Sequence, residues 1–475
     1  MNSFAIILIV LSLAVGIVIA ILGTHFAKKK MKHEEAYFTA GRNISTGFMT
    51  ASFIAYAVGT GLIFSPGESA YTTGVTAMIG YALAISLAFI VFVPISKRIK
   101  TMIPEGHTLG EYTNTRYGKF MYVVSLAVSI IYMFILFISN MIGAAIMFKY
   151  VAGVPMLLSI IVIGIPTIYF ASFGGVTATI FTAGLQSLLV TPLLFFPAFM
   201  CLFDVGGISQ IYGAIEAVSP NFLNIFDEAG LEFAAMIIIG VVSAELLNQT
   251  LWQRIYTAKD QKVIKKSLIS AAVMVFPMTI VAAALGLFAV GLGVDVPHTS
   301  IASGMTVATA LPEWAVMLFC LVVVVAASST GGDALSGFSS IVSIDIARPL
   351  KKGNISEKNM VRIGRIGAVA IGIAGLIIAS FEPSVLQTLL LADLLASAAV
   401  VPTITGLYSK RISGTAAALA TIAGIAVGLP FYVMGESFTS FSLALAVSTV
   451  ITIIGHIACK KEFDFELLKT NIKEL

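Results

Sequence analysis

The sequence predicts an all-α integral membrane protein of about thirteen transmembrane helices in one domain, 1–475, and three observations carry that reading. Hydrophobic residues make up 58% of the chain and charged residues only 11%, whereas a soluble domain carries about a quarter charged residues. The apolar residues fall in runs long enough to cross a bilayer, which takes roughly 20 residues of helix. Lys and Arg concentrate in alternate connections, as they do when those connections stay on the cytoplasmic side.

Taken in order, the runs lie at about 4–26, 45–66, 73–96, 120–148, 154–172, 176–203, 232–253, 267–293, 313–347, 361–381, 384–407, 413–434 and 438–458. The run at 313–347 exceeds one crossing and is expected to project into the cytoplasm. With the N-terminus outside, the basic stretches Lys28–Lys32, Lys97–Lys119, Arg254–Lys266, Arg348–Arg365, Lys410–Arg411 and the tail from Lys460 all fall inside. Lys149 alone then lies near the outer face. The connections 204–231 and 294–312 carry acids without Lys or Arg, which suits the outer side. One span more or fewer would scatter the basic loops over both faces. In the first run Lys28–Lys30 follow the apolar core, the reverse of a cleaved signal peptide. The expected location is the plasma or inner membrane, with the lipid bilayer as surrounding and the C-terminus cytoplasmic.

Several function classes drop out. Cys201, Cys320 and Cys459 are too scattered for a metal-ligand spacing or a disulfide framework. No Gly-x-x-x-x-Gly-Lys-Ser/Thr phosphate loop occurs and no nucleophile is paired with a base within a span, which argues against a primary pump or an enzyme. The stretch from Lys461 to Leu475 is short for an output domain, which argues against a sensor. Nothing calls for an organic cofactor, a nucleic acid or an obligatory protein partner.

Polar residues inside the apolar runs point to transport. Span two reads Ala55-Tyr56-Ala57-Val58-Gly59-Thr60-Gly61, then Ser65-Pro66-Gly67. Glycines so spaced mark either a helix break lining a cavity or close packing between helices. Five spans later, 232–253 carries Ser243, Glu245, Asn248, Gln249 and Thr250. Interrupted spans at corresponding places in two five-helix units are the pattern of an inverted-repeat transporter. A third cluster, Ser328-Ser329-Thr330 followed by Gly331-Gly332-Asp333, offers hydroxyls either to a small cation or to neighbouring backbone.

Acids within spans are costly and tend to mark function. Glu245 stands three residues before Asn248 on the same helical face, where it meets a solute amine or guanidine, carries a proton, or caps the break. Asp333 shares a face with Ser329 and Thr330 and is a candidate coupling acid or a structural pin for the glycine pair. Asp393 reads as a helix–helix bond. Tyr56 sits at the expected break, placed to stack on a solute, and Gly59, Glu245, Asn248 and Gln249 complete the candidate solute site. His107 and His298 lie in loops on opposite sides and suggest no metal site.

These stretches resemble the sodium/solute symporter family. The markers run from Tyr37 to Arg411: Ala40-Gly41-Arg42, Phe173-Gly174-Gly175-Val176, Asn248-Gln249-x-x-x-Gln253-Arg254, Ala258-Lys259, and Ser329-Thr330 followed by Ser339-Ser340 and Asp345. The resemblance implies the LeuT-type fold: one extra N-terminal helix at 4–26, five-helix repeats at 45–203 and 232–407 in inverted relation, two accessory C-terminal helices at 413–458 and a tail at 459–475. It implies a sodium site between the second and ninth spans, with the carbonyls of Ala55, Val58 and Ala326 and the hydroxyls of Ser329 and Thr330 as ligands. The activity implied is sodium-coupled import of a small polar organic solute, with Na+ as coupling ion; the rival is proton coupling through Glu245 or Asp333. The family often has Thr-Asp in the sixth span where this chain has Thr182-Ala183 before Gln186, which argues for one sodium per cycle. Gly106-His107-Thr108-Leu109 and Arg116-Tyr117-Gly118 look nearest the urea and polyamine branch. The solute, whether urea, polyamine, amino acid, monocarboxylate or sugar, stays open, with Glu245 favouring a neutral or cationic one.

Overall fold

The computed structural model describes residues 2–30 and 34–473, and these are helical nearly throughout. Lys32, in the first basic stretch, and the last two residues of the tail lie outside the described residues. Twenty α-helices follow one another: α1 (Ser3–Lys30), α2 (Ala36–Thr39), α3 (Thr46–Ala57), α4 (Thr60–Thr73), α5 (Val75–Met102), α6 (Leu109–Tyr117), α7 (Lys119–Ala152), α8 (Met156–Asp204), α9 (Ile208–Val218), α10 (Glu228–Leu247), α11 (Gln249–Thr257), α12 (Gln261–Gly291), α13 (Ala302–Ala310), α14 (Glu313–Ser340), α15 (Arg348–Leu350), α16 (Glu357–Ala379), α17 (Val385–Tyr408), α18 (Gly414–Val433), α19 (Ser437–Ala458) and α20 (Glu466–Asn471). Among the described residues, 11 helices are long and apolar enough to cross a membrane, and 12 spans result when the bent pair α3–α4 counts as one.

The helices sort by what surrounds them. On α1, Ile6, Val10, Val18 and Ile21 are each at least half exposed, a face that only lipid tolerates. α14 lies at the centre, with 83% of its apolar window buried. That position explains why its sequence carries Ser, Thr, Gly and Asp: polar groups inside a membrane must find partners within the protein. The expected run at 313–347 is α14 continued by a π-helical turn over Ile341–Ala347. The connection 204–231 holds the short helix α9 and 294–312 holds α13, both too short to register as apolar runs.

Three interruptions shape the bundle. Between α3 and α4, Val58 leaves helical geometry (ψ 62°) and Gly59 is extended (φ −87°, ψ −175°), so the two halves meet at 47°. Between α10 and α11, Asn248 takes ψ 116° and caps α11 by accepting the Thr250 N–H at 2.8 Å. Within the 49 residues of α8, Gly175 has φ +56° and ψ −157°. A side chain there would be strained by that φ and would press to 2.4 Å from the Tyr37 carbonyl.

The basic segments gather at one end. Arg42 donates to the carbonyls of Glu105 and Gly106, Arg98 to that of Leu407, Arg116 to those of Gly406, Ser409 and Ile412, and Arg365 to that of Phe173. Lys149 lies at the opposite end, paired with Glu382 at 2.5 Å. There Glu68 of α4 accepts from the hydroxyls of Thr299 (2.6 Å), Ser300 (2.7 Å) and Ser384 (3.1 Å), tying α4 to the turn before α13 and to the start of α17.

A candidate cation and solute site at two helix breaks

Breaking α3 from α4 frees backbone groups that a continuous helix would pair. The Thr60 N–H, which would otherwise reach the Tyr56 carbonyl, takes Asn140 Oδ1 of α7 at 2.9 Å. The Tyr56 carbonyl instead accepts the Thr330 hydroxyl of α14 at 3.0 Å, with the Ala55 carbonyl at 3.5 Å from the same oxygen. Ser329, one residue earlier and buried, has a hydroxyl with no partner, and an orphaned buried hydroxyl is rare without a ligand to explain it. Val58 is buried at the break itself. Ala326 lies one turn before Thr330 in unbroken α14, so its carbonyl serves the helix ladder and keeps a second lone pair. The Ala55 and Tyr56 carbonyls and the Thr330 hydroxyl thus meet as neutral oxygen donors, the kind a monovalent hard cation fits.

A cavity of about 80 Å³ lies beside this cluster, with Tyr56, Gly59, Thr330 and Glu245 in its wall. The Tyr56 hydroxyl donates to Glu245 Oε2 at 2.7 Å and accepts from the Asn248 amide, so the two broken spans meet through one phenol. Gln249 is placed elsewhere: its carboxamide accepts the Leu109 N–H at 2.9 Å and donates to the His107 carbonyl at 3.2 Å, which anchors α6 toward the basic end. Asp333 pairs with Arg254 at 2.6 Å, both side chains being almost wholly buried. Asp393, read as a helix–helix bond, instead lines the cavity with Glu245, and among the described residues no hydrogen bond reaches its carboxylate. Ala183 is buried in α8, and the nearby Gln186 amide is buried without a partner.

Asn140, Tyr81 and Tyr132 also line the cavity and were not singled out in the sequence. Asn140 had a signal: a single amide in the long apolar run of α7 costs too much to stand there without a task. The tyrosines had none, since a Tyr in a span more often faces a neighbouring helix.

At the basic end, outside the spans, the His107 ring is 3.2 Å from Glu111 and 3.1 Å from Glu35, Glu35 is 2.9 Å from Arg42, and Arg348 is 3.5 Å from Glu111. Burial disfavours the charged imidazole, but the two carboxylates outweigh it and raise His107 above its usual value. Burial likewise opposes charge on Glu35 and Glu111, yet His107 and the arginines hold both below the usual carboxylate range. The raised His107 contributes stability that is complete below the free-histidine value of 6.5 and is lost as pH rises through its folded value. The lowered acids contribute above 4.5 and lose it as pH falls through theirs. Melting temperature measured between about pH 5 and 8 should therefore fall toward the alkaline side, and His107→Gln should flatten that fall. A slope unchanged by the substitution would remove His107 as its source.

The geometry has counterparts among known proteins. The sequence profile described as "Sodium:solute symporter family" matches residues 37–424. The urea-proton symporter DUR3 of Oryza sativa subsp. japonica is 22% identical over 374 residues, covering 72% of this chain, which spans 52% of that protein's length. The sodium/glucose cotransporter of Vibrio parahaemolyticus is 22% identical over 470 residues, covering 90% of this chain and 85% of that one. In three dimensions the chain resembles a Na+-coupled sialic acid symporter solved in a substrate-bound outward-open state, with TM-score 0.78, 20% identity and coverage of 97% and 99%. That similarity establishes a LeuT-type fold. With most of its length matched to one family of multi-pass membrane transporters, none of them enzymes by description, the chain belongs to the sodium:solute symporter family.

Proposed function

We propose that this chain is a sodium-coupled secondary symporter that imports a small polar organic solute by alternating access, lying in the plasma or inner membrane with its N-terminus outside and its basic end in the cytoplasm. One observation carries the reading. The Thr330 hydroxyl faces carbonyls freed by the α3–α4 break, beside a cavity that the second broken span also lines, and the adjacent Ser329 hydroxyl is buried without a partner. Sodium held there by Ala55, Val58, Ala326, Ser329 and Thr330 would fix α3 and α14 in one relation and shape the cavity wall at Tyr56 and Gly59. Solute affinity then rises with sodium and, by linkage, sodium affinity with solute.

The thirteen-crossing layout is part of this proposal. At 49 residues α8 extends roughly 70 Å, about twice the hydrocarbon thickness, and Gly175 divides it where the sequence places a span boundary. The two limbs of α8, the bent pair and the remaining long helices make thirteen crossings. The breaks in α3–α4 and α10–α11 open the repeats 45–203 and 232–407 at the same relative place, which supports an inverted relation.

A second reading is proton coupling, supported by the description of the plant relative and by Glu245, a half-buried acid in the cavity wall that accepts the Tyr56 hydroxyl. Asp333 serves it less well, being held by Arg254. Uptake of urea, polyamines, amino acids, monocarboxylates and sugars into proteoliposomes, driven first by a sodium and then by a proton gradient, separates the two. Sodium-driven uptake is expected, and Thr330→Ala should raise the sodium half-saturation about tenfold, the usual worth of one buried ligand hydroxyl. Uptake indifferent to sodium refutes the reading, and an unchanged half-saturation removes Thr330 from the site.

A further inference from the structure

The cavity between the two breaks carries charge of one sign. Glu245 of α10 and Asp393 of α17 both line it, with Tyr56, Tyr81, Phe89 and Tyr132 supplying aromatic faces, and no Lys, Arg or His is part of the lining. Asp393 is 6% exposed, and no described hydrogen-bond donor reaches its carboxylate. Glu245 accepts only the Tyr56 hydroxyl on one of its oxygens. The Arg254 guanidinium packs 5.1 Å from the Tyr56 ring centroid, but it is already neutralised by Asp333. Two acids with unfilled acceptor sites inside a membrane are costly as carboxylates until a proton or a partner of opposite charge neutralises them.

The helix ends point the same way. α10 terminates at Leu247, within one turn of Ala244 and Glu245 in the cavity wall, so the negative end of its dipole lies nearby. At the start of α4, the natural place for an anion, Asn140 already accepts the first N–H, that of Thr60. The wall thus offers carboxylates and π-faces, which select cationic N–H groups by charge-assisted hydrogen bonds and cation–π contact.

Resting on the symporter reading above, we infer that the transported solute is a small organic cation bearing an ammonium or guanidinium group, with Glu245 and Asp393 as its counter-charges. Asp393 then acts as a solute-binding residue in the cavity whose wall Thr330 also forms.

The test uses the full-length protein in proteoliposomes, with radiolabelled guanidine, putrescine, urea, glucose and lactate as probes. Guanidine or putrescine should enter under a sodium gradient and compete with each other but not with glucose or lactate. Asp393→Asn should raise the cation half-saturation roughly tenfold or more and leave the sodium half-saturation within about twofold. Sodium-driven uptake of urea, glucose or lactate that neither cation inhibits overturns the cation inference and leaves sodium symport standing. Uptake of guanidine or putrescine that ignores sodium supports the inference while overturning the coupling. Should Asp393→Asn fail to fold, binding to the unsubstituted protein decides: no thermal stabilisation by either cation, with sodium present, overturns the proposal.

Discussion

Asp333→Ala should lower the stability of the folded protein by about 3–5 kcal/mol, the largest single-residue effect expected outside the helix breaks. Arg254 and Asp333 are 0% and 1% exposed and meet at 2.6 Å, and the Arg254 Nε also donates to the Ser52 hydroxyl of α3 at 2.9 Å. Removing the acid strands a guanidinium in a membrane protein's interior without a counter-charge. Its remaining partners, Ser52 and the Thr250 carbonyl, are neutral and cannot replace that charge. The double substitution Arg254→Met with Asp333→Leu should recover most of the loss, since apolar packing often equals a buried ion pair. Melting temperature and the monodisperse fraction in detergent measure both. An Asp333→Ala protein that melts with its parent would show that the charges are not isolated from water.

The second large effect falls on ion binding. A Cβ at Gly59 would stand 2.6 Å from both Asn140 Oδ1 and Thr330 Oγ1 and 2.9 Å from Thr330 Cβ. Its backbone, at φ −87° and ψ −175°, suits any residue, so the penalty of Gly59→Ala comes from crowding alone. Overpacking of this kind costs about 1–3 kcal/mol, here borne by the groups proposed to hold the cation. Sodium half-saturation should rise about 5- to 100-fold. Gly61→Ala is the matched control, because its Cβ meets only the end of the flexible Leu389 side chain, at 3.0 Å. Its effect should stay below about threefold. Equal losses at the two glycines would mean that the break, and not the space facing Thr330, governs the ion.

Much of the fold was legible because a bilayer imposes length and polarity together: each apolar run lies on a long helix or a broken pair, although 154–172 and 176–203 share the single helix α8. The break at Gly59 was half legible, since a glycine pair inside an apolar run marks either a break or close helix packing, and the polar run Ser243–Thr250 marked the second interrupted span without locating it at Asn248. The partners across the bundle were not legible. Arg254 reads in the sequence as the start of a basic loop, yet α11 turns it inward to Asp333. Asp393 and Asn140 reach the cavity through the rotation of α17 and α7 about their own axes, which packing against neighbours fixes and no single helix encodes. Gln249, one residue past the break, bonds to the Leu109 N–H and the His107 carbonyl and is not in the cavity lining, a direction that a break leaves undetermined in the sequence.

The quoted motifs also prove to be one object. The Tyr37 hydroxyl reaches the Ser172 carbonyl at 2.7 Å and the Ser339 hydroxyl at 3.1 Å, while the Gln253 amide reaches the Phe38 carbonyl at 2.9 Å and the Ser340 hydroxyl at 2.8 Å. Residues scattered over three hundred positions of the sequence close a single surface near the basic end.

A parallel bridge joins Ile44, just before α3, to Ala258, just after α11: the Ile44 N–H reaches the Thr257 carbonyl at 3.1 Å and the Lys259 N–H reaches the Ile44 carbonyl at 3.2 Å. With Arg254 bonded to Ser52 as well, the two half-helices are fastened at their far ends and pivot at Gly59 and Asn248. Mechanically they form one lever with its fulcrum beside the cavity. The shorter arm, α11, is roughly 13 Å long, so a tilt of about 10° swings its tip by about 2 Å. A tilt of either half-helix is therefore handed across these bonds to the other.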